Sequence, residues 1–255
     1  MRVAHRFTAD AGSPRLWRRR IDERVELWTE TIGRPPAVYG ERWTELDGRT
    51  LRTFEPARSK LAAGIHGGWS GPLPRPGERW LYLGAASGST ASHVADLVGT
   101  AGEVYAVERS LRPFARLNRL AARWPSLGPV LGDARAPESY ADLVPPVDGV
   151  YADVAQPDQV AIVRSNVELF LRAAGGGVLI ALKTPSMGRE RTAPRHRERA
   201  EDELAAFVEL APAVRLDPFQ RGHYLVGGVW SPSGGGRSSP VIRPRSAPRR
   251  GRPRP

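Results

Sequence analysis

The sequence predicts an α/β fold, a buried parallel sheet entered through a nucleotide-binding strand–turn–helix unit and preceded by a small β-rich region. Three observations predict it. Residues 80–83, Trp-Leu-Tyr-Leu, form a short apolar run suited to a buried parallel strand. Residues 84–88, Gly-Ala-Ala-Ser-Gly, make a turn of small side chains, and from Ser89 the apolar Ala91, Val94, Ala95 and Val98 fall on one helical face. Beyond this unit, apolar runs and helical patterns alternate. Small residues in such a turn let a ligand approach the backbone, and the helix start offers free N–H groups. A tight turn without a ligand is the alternative.

Composition bounds the rest. A chain of 255 residues with 40% hydrophobic content can bury a real core, as one large domain or a small one beside a main one. No stretch approaches the roughly 18 apolar residues of a membrane helix. The arginine-rich start has no apolar segment of the kind a secretory signal needs, so no signal and no membrane partner are expected. With no cysteine, disulfides, thiolate catalysis and cysteine-ligated zinc are excluded, and a cytoplasmic location is expected. The net charge of +11 points to a polyanionic partner. Arginine bias on an ordinary solvated surface is the alternative.

Residues 1–20 carry Arg15, Arg18, Arg19 and Arg20 with little apolar pattern and read as a loose basic arm. Residues 21–55 read as a small β-rich domain. Short strands are expected between 25 and 54, among them 38–39, 42–46 and 50–54, with Asp47-Gly48 as the hairpin turn between the last two. Residues 56–230 form the main domain. Pro56 sits near a helix start, Leu61, Ala62 and Ile65 follow at helical spacing, and Gly67-Gly68 ends the helix. On composition alone, Arg58 and Lys60 within it are solvated charges. Residues 72–77 are a Pro/Gly linker.

A second strand, 103–107, ends at Glu108, about 20 residues past the glycine turn, where an acid can accept from both ribose hydroxyls of an adenosine. Glu108 can also be a helix N-terminal acid, since Pro113 opens a helix over 114–124. Residues 130–131 are a brief third strand, followed by Gly132-Asp133-Ala134. Asp133 can bond an adenine amino group or simply serve the turn. The fourth strand, 147–152, delivers Asp153 to its carboxyl end, the edge where ligands sit in open α/β sheets. Val154, Ala155 and Gln156 continue the loop, and Pro157 starts a helix through 171. The fifth strand, 178–182, is capped by Lys183. Asp153 and Lys183 therefore point into one crevice, as site residues or as a structural ion pair. A charged helix is expected over 191–210, its basic start at 195–199 either a solvated face or an RNA contact. Late strands are expected at 216–220 and 223–230. His223, judged alone, is structural. Residues 231–255 are Gly, Ser, Pro and Arg without a single acid, a composition expected to be disordered and able to hold RNA phosphates.

Arg58-Ser59-Lys60-Leu61-Ala62-Ala63, the stretch LGAASGSTASHVADLVG from Leu83, Glu108, Gly132-Asp133-Ala134 and Asp153-Val154-Ala155-Gln156-Pro157 occur in this order, followed by Lys183 and His223. In these segments, and from about residue 38 to 229, the chain resembles the fibrillarin family, most closely its archaeal form. That resemblance implies a Rossmann-like, seven-stranded, mostly parallel S-adenosylmethionine-dependent methyltransferase fold. It implies RNA 2′-O-ribose methylation of rRNA and tRNA within a box C/D guide ribonucleoprotein. The implied partners are the guide RNA and its target, a Nop-domain scaffold protein and a kink-turn-binding ribosomal-type protein. S-adenosylmethionine is the implied methyl donor, without a metal. Gly84 belongs to the implied cofactor turn, and Ser89 and Thr90 match the pair near the methionine end. Glu108, with Arg109 beside it, matches the ribose-binding acid, and Asp133 and Ala134 match the adenine contact. Asp153, Val154, Ala155 and Gln156 lie along the reacting end. Lys60, Asp153, Lys183 and His223 occupy a Lys-Asp-Lys-His tetrad, with Lys183 as base, Asp153 orienting it, and Lys60 and His223 holding the ribose and adjacent phosphate. Lysine suits such a role, because an amine can accept a hydroxyl proton once its pKa is drawn down from about 10.4. The basic tail departs from the family pattern, and Gly64 and Ala85 stand where the family often has alanine and isoleucine. A methyltransferase with a protein glutamine acceptor and a non-catalytic RNA-binding subunit are the competing readings. A nicotinamide dehydrogenase is weaker, since the turn lacks the full G-x-G-x-x-G.

Overall fold

Two sheets carry the structure, a computed structural model that describes residues 6–188 and 190–232. The first sheet is antiparallel. Its strands are β1 (Arg6–Ala9), β2 (Leu16–Ile21), β3 (Arg24–Thr31), β4 (Trp43–Leu46) and β5 (Arg49–Thr53), in the order β1-β2-β3-β5-β4. The loose arm expected over 1–20 is thus corrected within the described residues: 6–9 and 16–21 are strands. Leu16 is fully buried, and the arginines find acids, Arg18 on Asp10 at 2.9 Å and Arg15 on Glu30 at 3.0 Å. Neutralised arginine can occupy a strand that its apolar pattern does not announce. The Asp47-Gly48 hairpin forms as expected, with φ of 47° and 76° at its two central residues. Residues 38–39 are no strand, because the amides of Val38 and Tyr39 donate to the Glu41 carboxylate at 2.7 and 2.9 Å.

The main domain begins with α1 (Lys60–His66), started by Ser59, whose hydroxyl accepts from Ala62 N. It continues through β6 (Arg79–Leu83), α2 (Ser89–Val98), β7 (Glu103–Glu108), α3 (Leu111–Ala121), β8 (Leu127–Leu131), β9 (Gly149–Ala152), α4 (Gln159–Phe170), β10 (Gly177–Lys183), α5 (Ala193–Leu204), β11 (Val208–Leu210), β12 (Val214–Arg215) and β13 (His223–Trp230). The sheet order is β11-β13-β10-β9-β6-β7-β8, with β12 also pairing β13. The path has the expected number of strands, seven, but β11 stands where a helix was expected, and the two-residue β12 makes an eighth. Pairings from β10 to β8 are parallel, and β13 runs antiparallel between β10 and β11.

The helix expected over 191–210 ends at Leu204, because Phe207 and Val208 turn back into the core and 208–210 pair with β13. The strand expected at 216–220 is replaced by β12 at 214–215. The helix expected over 114–124 starts three residues earlier and ends at Ala121, before Pro125. The disorder expected over 231–255 concerns, beyond residue 232, residues outside those described.

Alternate side chains of β6 divide the core. Trp80 and Tyr82 join α1, α2, α3 and the first sheet on one face, and Leu81 and Leu83 join α4 and α5 on the other. Gly64 of α1 leaves room that Leu225 of β13 fills, so a Cβ there would collide with that leucine. Among the described residues no helix is long and apolar enough to cross a membrane.

The first sheet meets α2 through a buried polar seam. Arg52, fully buried, donates to Asp96 Oδ2 at 2.7 Å, Glu41 Oε1 at 2.8 Å and Ser92 Oγ at 2.9 Å, and lies over the Trp124 ring. His93 of α2 contacts the hydroxyls of Thr29 at 2.8 Å and Tyr39 at 2.7 Å and stacks on Phe54.

Candidate active site

The site is built at the carboxyl ends of β6, β7, β9 and β10. Gly84 and Ala85 both donate to Val107 O, which folds the turn against β7. Gly84 has φ +78°, and a Cβ on it would stand 2.9 Å from Asp153 O, so glycine allows β6 and β9 to end side by side. Glu108 is 8% exposed; its Oε2 accepts from Ala86 N at 3.0 Å and its Oε1 from Ser110 N at 2.6 Å. It therefore holds both the glycine turn and the entry to α3, as the helix-start reading of this acid expects.

A cavity of about 240 Å³ opens here. Gly84, Glu108, Arg109, Asp133, Ala134, Asp153, Val154, Ala155 and Gln156 line it, nine of the expected cofactor residues. Arg109 and Asp133 pair across its rim at 3.4 Å, and Asp133 also accepts from Arg135 N at 3.1 Å. Ser89 and Thr90 do not line it. Thr90 is buried and donates to Ser59 Oγ at 3.0 Å, which ties α2 to the start of α1, and Ser89 lines a separate groove beside α3. The amide oxygen of Gln156 is buried with no hydrogen-bond partner among the described residues. An acceptor left open in a cavity with a ribose-spaced acid and a small-residue floor fits an adenosine-containing ligand.

The tetrad residues converge. Lys60 Nζ lies 3.1 Å and Lys183 Nζ 2.8 Å from Asp153 Oδ1, and Lys183 Nζ also donates to Asp153 O at 2.8 Å. The three side chains are 18%, 17% and 13% exposed. Two ammonium groups on one carboxylate leave an excess positive charge at the rim, which a purely structural ion pair would not carry. His223 stands opposite Lys183 in the β10–β13 register. Burial pushes its pKa below 6.5 and the ammonium groups of Lys60 and Lys183 push it further, against the Arg221 carbonyl and Asp153. The imidazole is therefore neutral at pH 7. Its Nδ1 lies 2.8 Å from Arg221 O, which can only accept, so Nδ1 carries the proton and Nε2 is an acceptor.

Two features escaped the sequence reading. Gln159, fully buried, accepts from Lys183 N at 2.9 Å and donates to Lys183 O at 3.2 Å, fixing the backbone that carries Lys183. No spacing rule marks it. The other was legible: of 38 lysines and arginines only two are lysine, and they are Lys60 and Lys183.

A sheet with β13 inserted antiparallel beside β10, a glycine turn and a ribose-spaced acid define a methyltransferase-type α/β protein. Its family follows from comparison. The Fibrillarin family model matches residues 15–232, and the chain belongs to the fibrillarin family. It is 40% identical over 204 residues to a fibrillarin-like rRNA/tRNA 2′-O-methyltransferase of Thermococcus onnurineus, covering 80% of this chain and 90% of that one. It is similar to Aeropyrum pernix fibrillarin, solved with natively bound S-adenosyl-L-methionine, with TM-score 0.75, 36% identity and coverage of 87% of this chain and 97% of the other. It is also similar to fibrillarin in a fibrillarin/Nop5p complex, with TM-score 0.72, 36% identity and coverage of 80% and 93%.

Proposed function

We propose that this chain is the methyl-transferring subunit of a box C/D guide ribonucleoprotein that methylates ribose 2′-hydroxyls of rRNA and tRNA, with S-adenosylmethionine as donor. The observation that carries the reading is Lys60 and Lys183 on one Asp153, at the mouth of the cavity below Glu108. Glu108 would hold the ribose of the donor, Asp133 and Ala134 its adenine, and the 153–156 loop its reacting end. When bound, the donor supplies a methyl carbon on a positively charged sulfur, so the protein has only to bring an oxygen nucleophile into line.

Once its ammonium has released a proton to solvent, Lys183 takes the 2′-hydroxyl proton as the free amine while that oxygen becomes nucleophilic, and Asp153 with Gln159 aims the amine. An arginine could not serve, because its guanidinium does not release its proton in proteins. Lys60 faces the neighbouring phosphate. Neutral His223 accepts through Nε2, which suits a ribose hydroxyl better than a phosphate. Ser89 and Thr90 act at one remove, through α2 and Ser59.

Target choice comes from the partners: a guide RNA that pairs with the substrate, a Nop-domain scaffold and a kink-turn-binding protein. The likeness to fibrillarin solved with Nop5p supports the scaffold. The test is reconstitution with scaffold, kink-turn-binding protein and box C/D RNA, followed by mapping of methylated riboses. One guide-specified 2′-O-methyl group is expected, with little transfer by the chain alone. Site-specific methylation of a bare transcript by the isolated chain would overturn the dependence on partners. Transfer to protein glutamine instead of RNA would overturn the acceptor.

A further inference from the structure

The excess positive charge is not spread evenly. On α5 the arginines are answered within the helix, Arg195 by Glu198 at 3.1 Å, Arg199 by Glu203 at 2.7 Å, and Arg197 by Glu201. In the first sheet Arg18 and Arg49 meet an acid, as does Arg42 beside β4, and the exposed Arg20 and Arg24 stand apart from any row. On and just beyond α3, Arg112, Arg116, Arg119 and Arg123 are exposed, and none forms an ion pair among the described residues. Their spacing, i, i+4, i+7 and i+11, puts them along one helical face over about 16 Å. No Asp or Glu occurs between Glu108 and Asp133.

Arg116, Arg119 and Arg123 line a groove of about 370 Å³ together with Ser87 and Ser89. Helix α2 begins there, and no side chain caps its first amides. The glycine turn separates this groove from the cofactor cavity, since Ala86 lines one and Ser87 the other. A strand lying in the groove is thereby led to the rim of the site.

We propose that the outer face of α3 is a binding track for the phosphodiester backbone of RNA, resting on the RNA-methylating reading above. Four unanswered guanidinium groups in a row match a linear polyanion. Ala115, Asn118 and Ala122 between them are small or polar and offer no anchor of the kind that centres a protein interface. Leu111 is exposed at the helix start but does not line the groove. The track reads no sequence, so it positions a duplex or strand that base pairing has already chosen.

The test measures binding of the full chain to a labelled 20-nucleotide RNA, single-stranded and as a duplex, by anisotropy across a salt series. Replacing Arg112, Arg116, Arg119 and Arg123 together by Gln is expected to weaken binding at least tenfold at low salt. It should also flatten the plot of log affinity against log salt by about 3, since each phosphate contact contributes about 0.7–0.9. The same four positions changed to Lys should keep the slope. Arg195, Arg197 and Arg199 changed to Gln should also keep it. Calorimetry with S-adenosylmethionine checks that each variant is folded; should the fourfold Gln variant fail that check, Arg116→Gln and Arg119→Gln alone should each flatten the slope by about 0.7–0.9. An unchanged slope in the α3 variants, or an equal drop in the α5 variant, overturns the track. Loss of poly-glutamate binding with RNA binding retained overturns it in favour of an acidic protein. Failure of the unaltered chain to bind RNA while it still binds the cofactor overturns the RNA reading itself.

Discussion

Arginine supplies every side-chain cation of this chain except at the two positions that touch Asp153. That contrast says what the site requires: a cation that can give up its proton. Lys183→Arg keeps the charge and removes the base, so methyl transfer by the reconstituted particle should fall by at least a hundredfold, within the usual contribution of a general base. Calorimetric affinity for S-adenosylmethionine should change less than threefold; a variant that lost binding but kept its turnover would move Lys183 from catalysis to binding. Glu108→Ala should do the reverse. The variant removes the acceptor for the donor's ribose hydroxyls, and a hydrogen bond to a charged group contributes about 1.5–3 kcal/mol, so donor affinity should fall at least tenfold. Spacing alone pointed to Glu108, and position at a strand end pointed to Asp153 and Lys183. Lys60 and His223 were reached through the family resemblance, because their partners lie far away in sequence, although the scarcity of lysine also marks Lys60. Gln159 was invisible, because what it holds is backbone.

At the scale of elements, legibility follows burial. Strand β6 announces itself because it is apolar on both faces, and both faces are covered. Helix α2 shows only its apolar stripe in the sequence, yet Ser92, His93 and Asp96 are buried as well. Its polar side is covered by a sheet whose second strand hides behind the paired Arg18 and Arg19. The glycine turn tests how closely elements must approach. Gly84→Ala adds a Cβ at 2.9 Å from Asp153 O on a backbone with φ +78°. The turn must shift and carry Asp153 with it, so transfer should be lost and the melting temperature should drop, by about 4 °C or less per kcal/mol for a chain of this size. Unaltered activity in Gly84→Ala would mean that β6 and β9 can separate without harm to the site.

For the whole molecule, the seam at Arg52 is the largest electrostatic commitment. Arg52→Ala leaves Glu41 and Asp96 buried without their guanidinium, and breaking such a pair costs about 3–5 kcal/mol. Urea denaturation should register the loss as a lower midpoint. The same seam makes stability depend on pH. Burial first, and then the Arg52 guanidinium, hold His93 well below 6.5. The unfolded chain takes up a proton near pH 6.5 that the folded chain refuses, so the contribution of neutral His93 is complete above that pH and shrinks as pH falls below it. His223, shifted in the same direction, adds to the effect. Unfolding free energies should therefore be lower at pH 5.5 than at pH 7.5; equal values would contradict the buried neutral ring. The seam has one more consequence. Asp96 and His93 sit on the helix whose first turn closes the cofactor loop, so whatever steadies that loop must also steady β3 and β5, and the influence runs equally in both directions. Deuterium uptake by the amides of the amino-terminal sheet should slow when nucleoside is added, although that sheet lends no atom to the cavity wall.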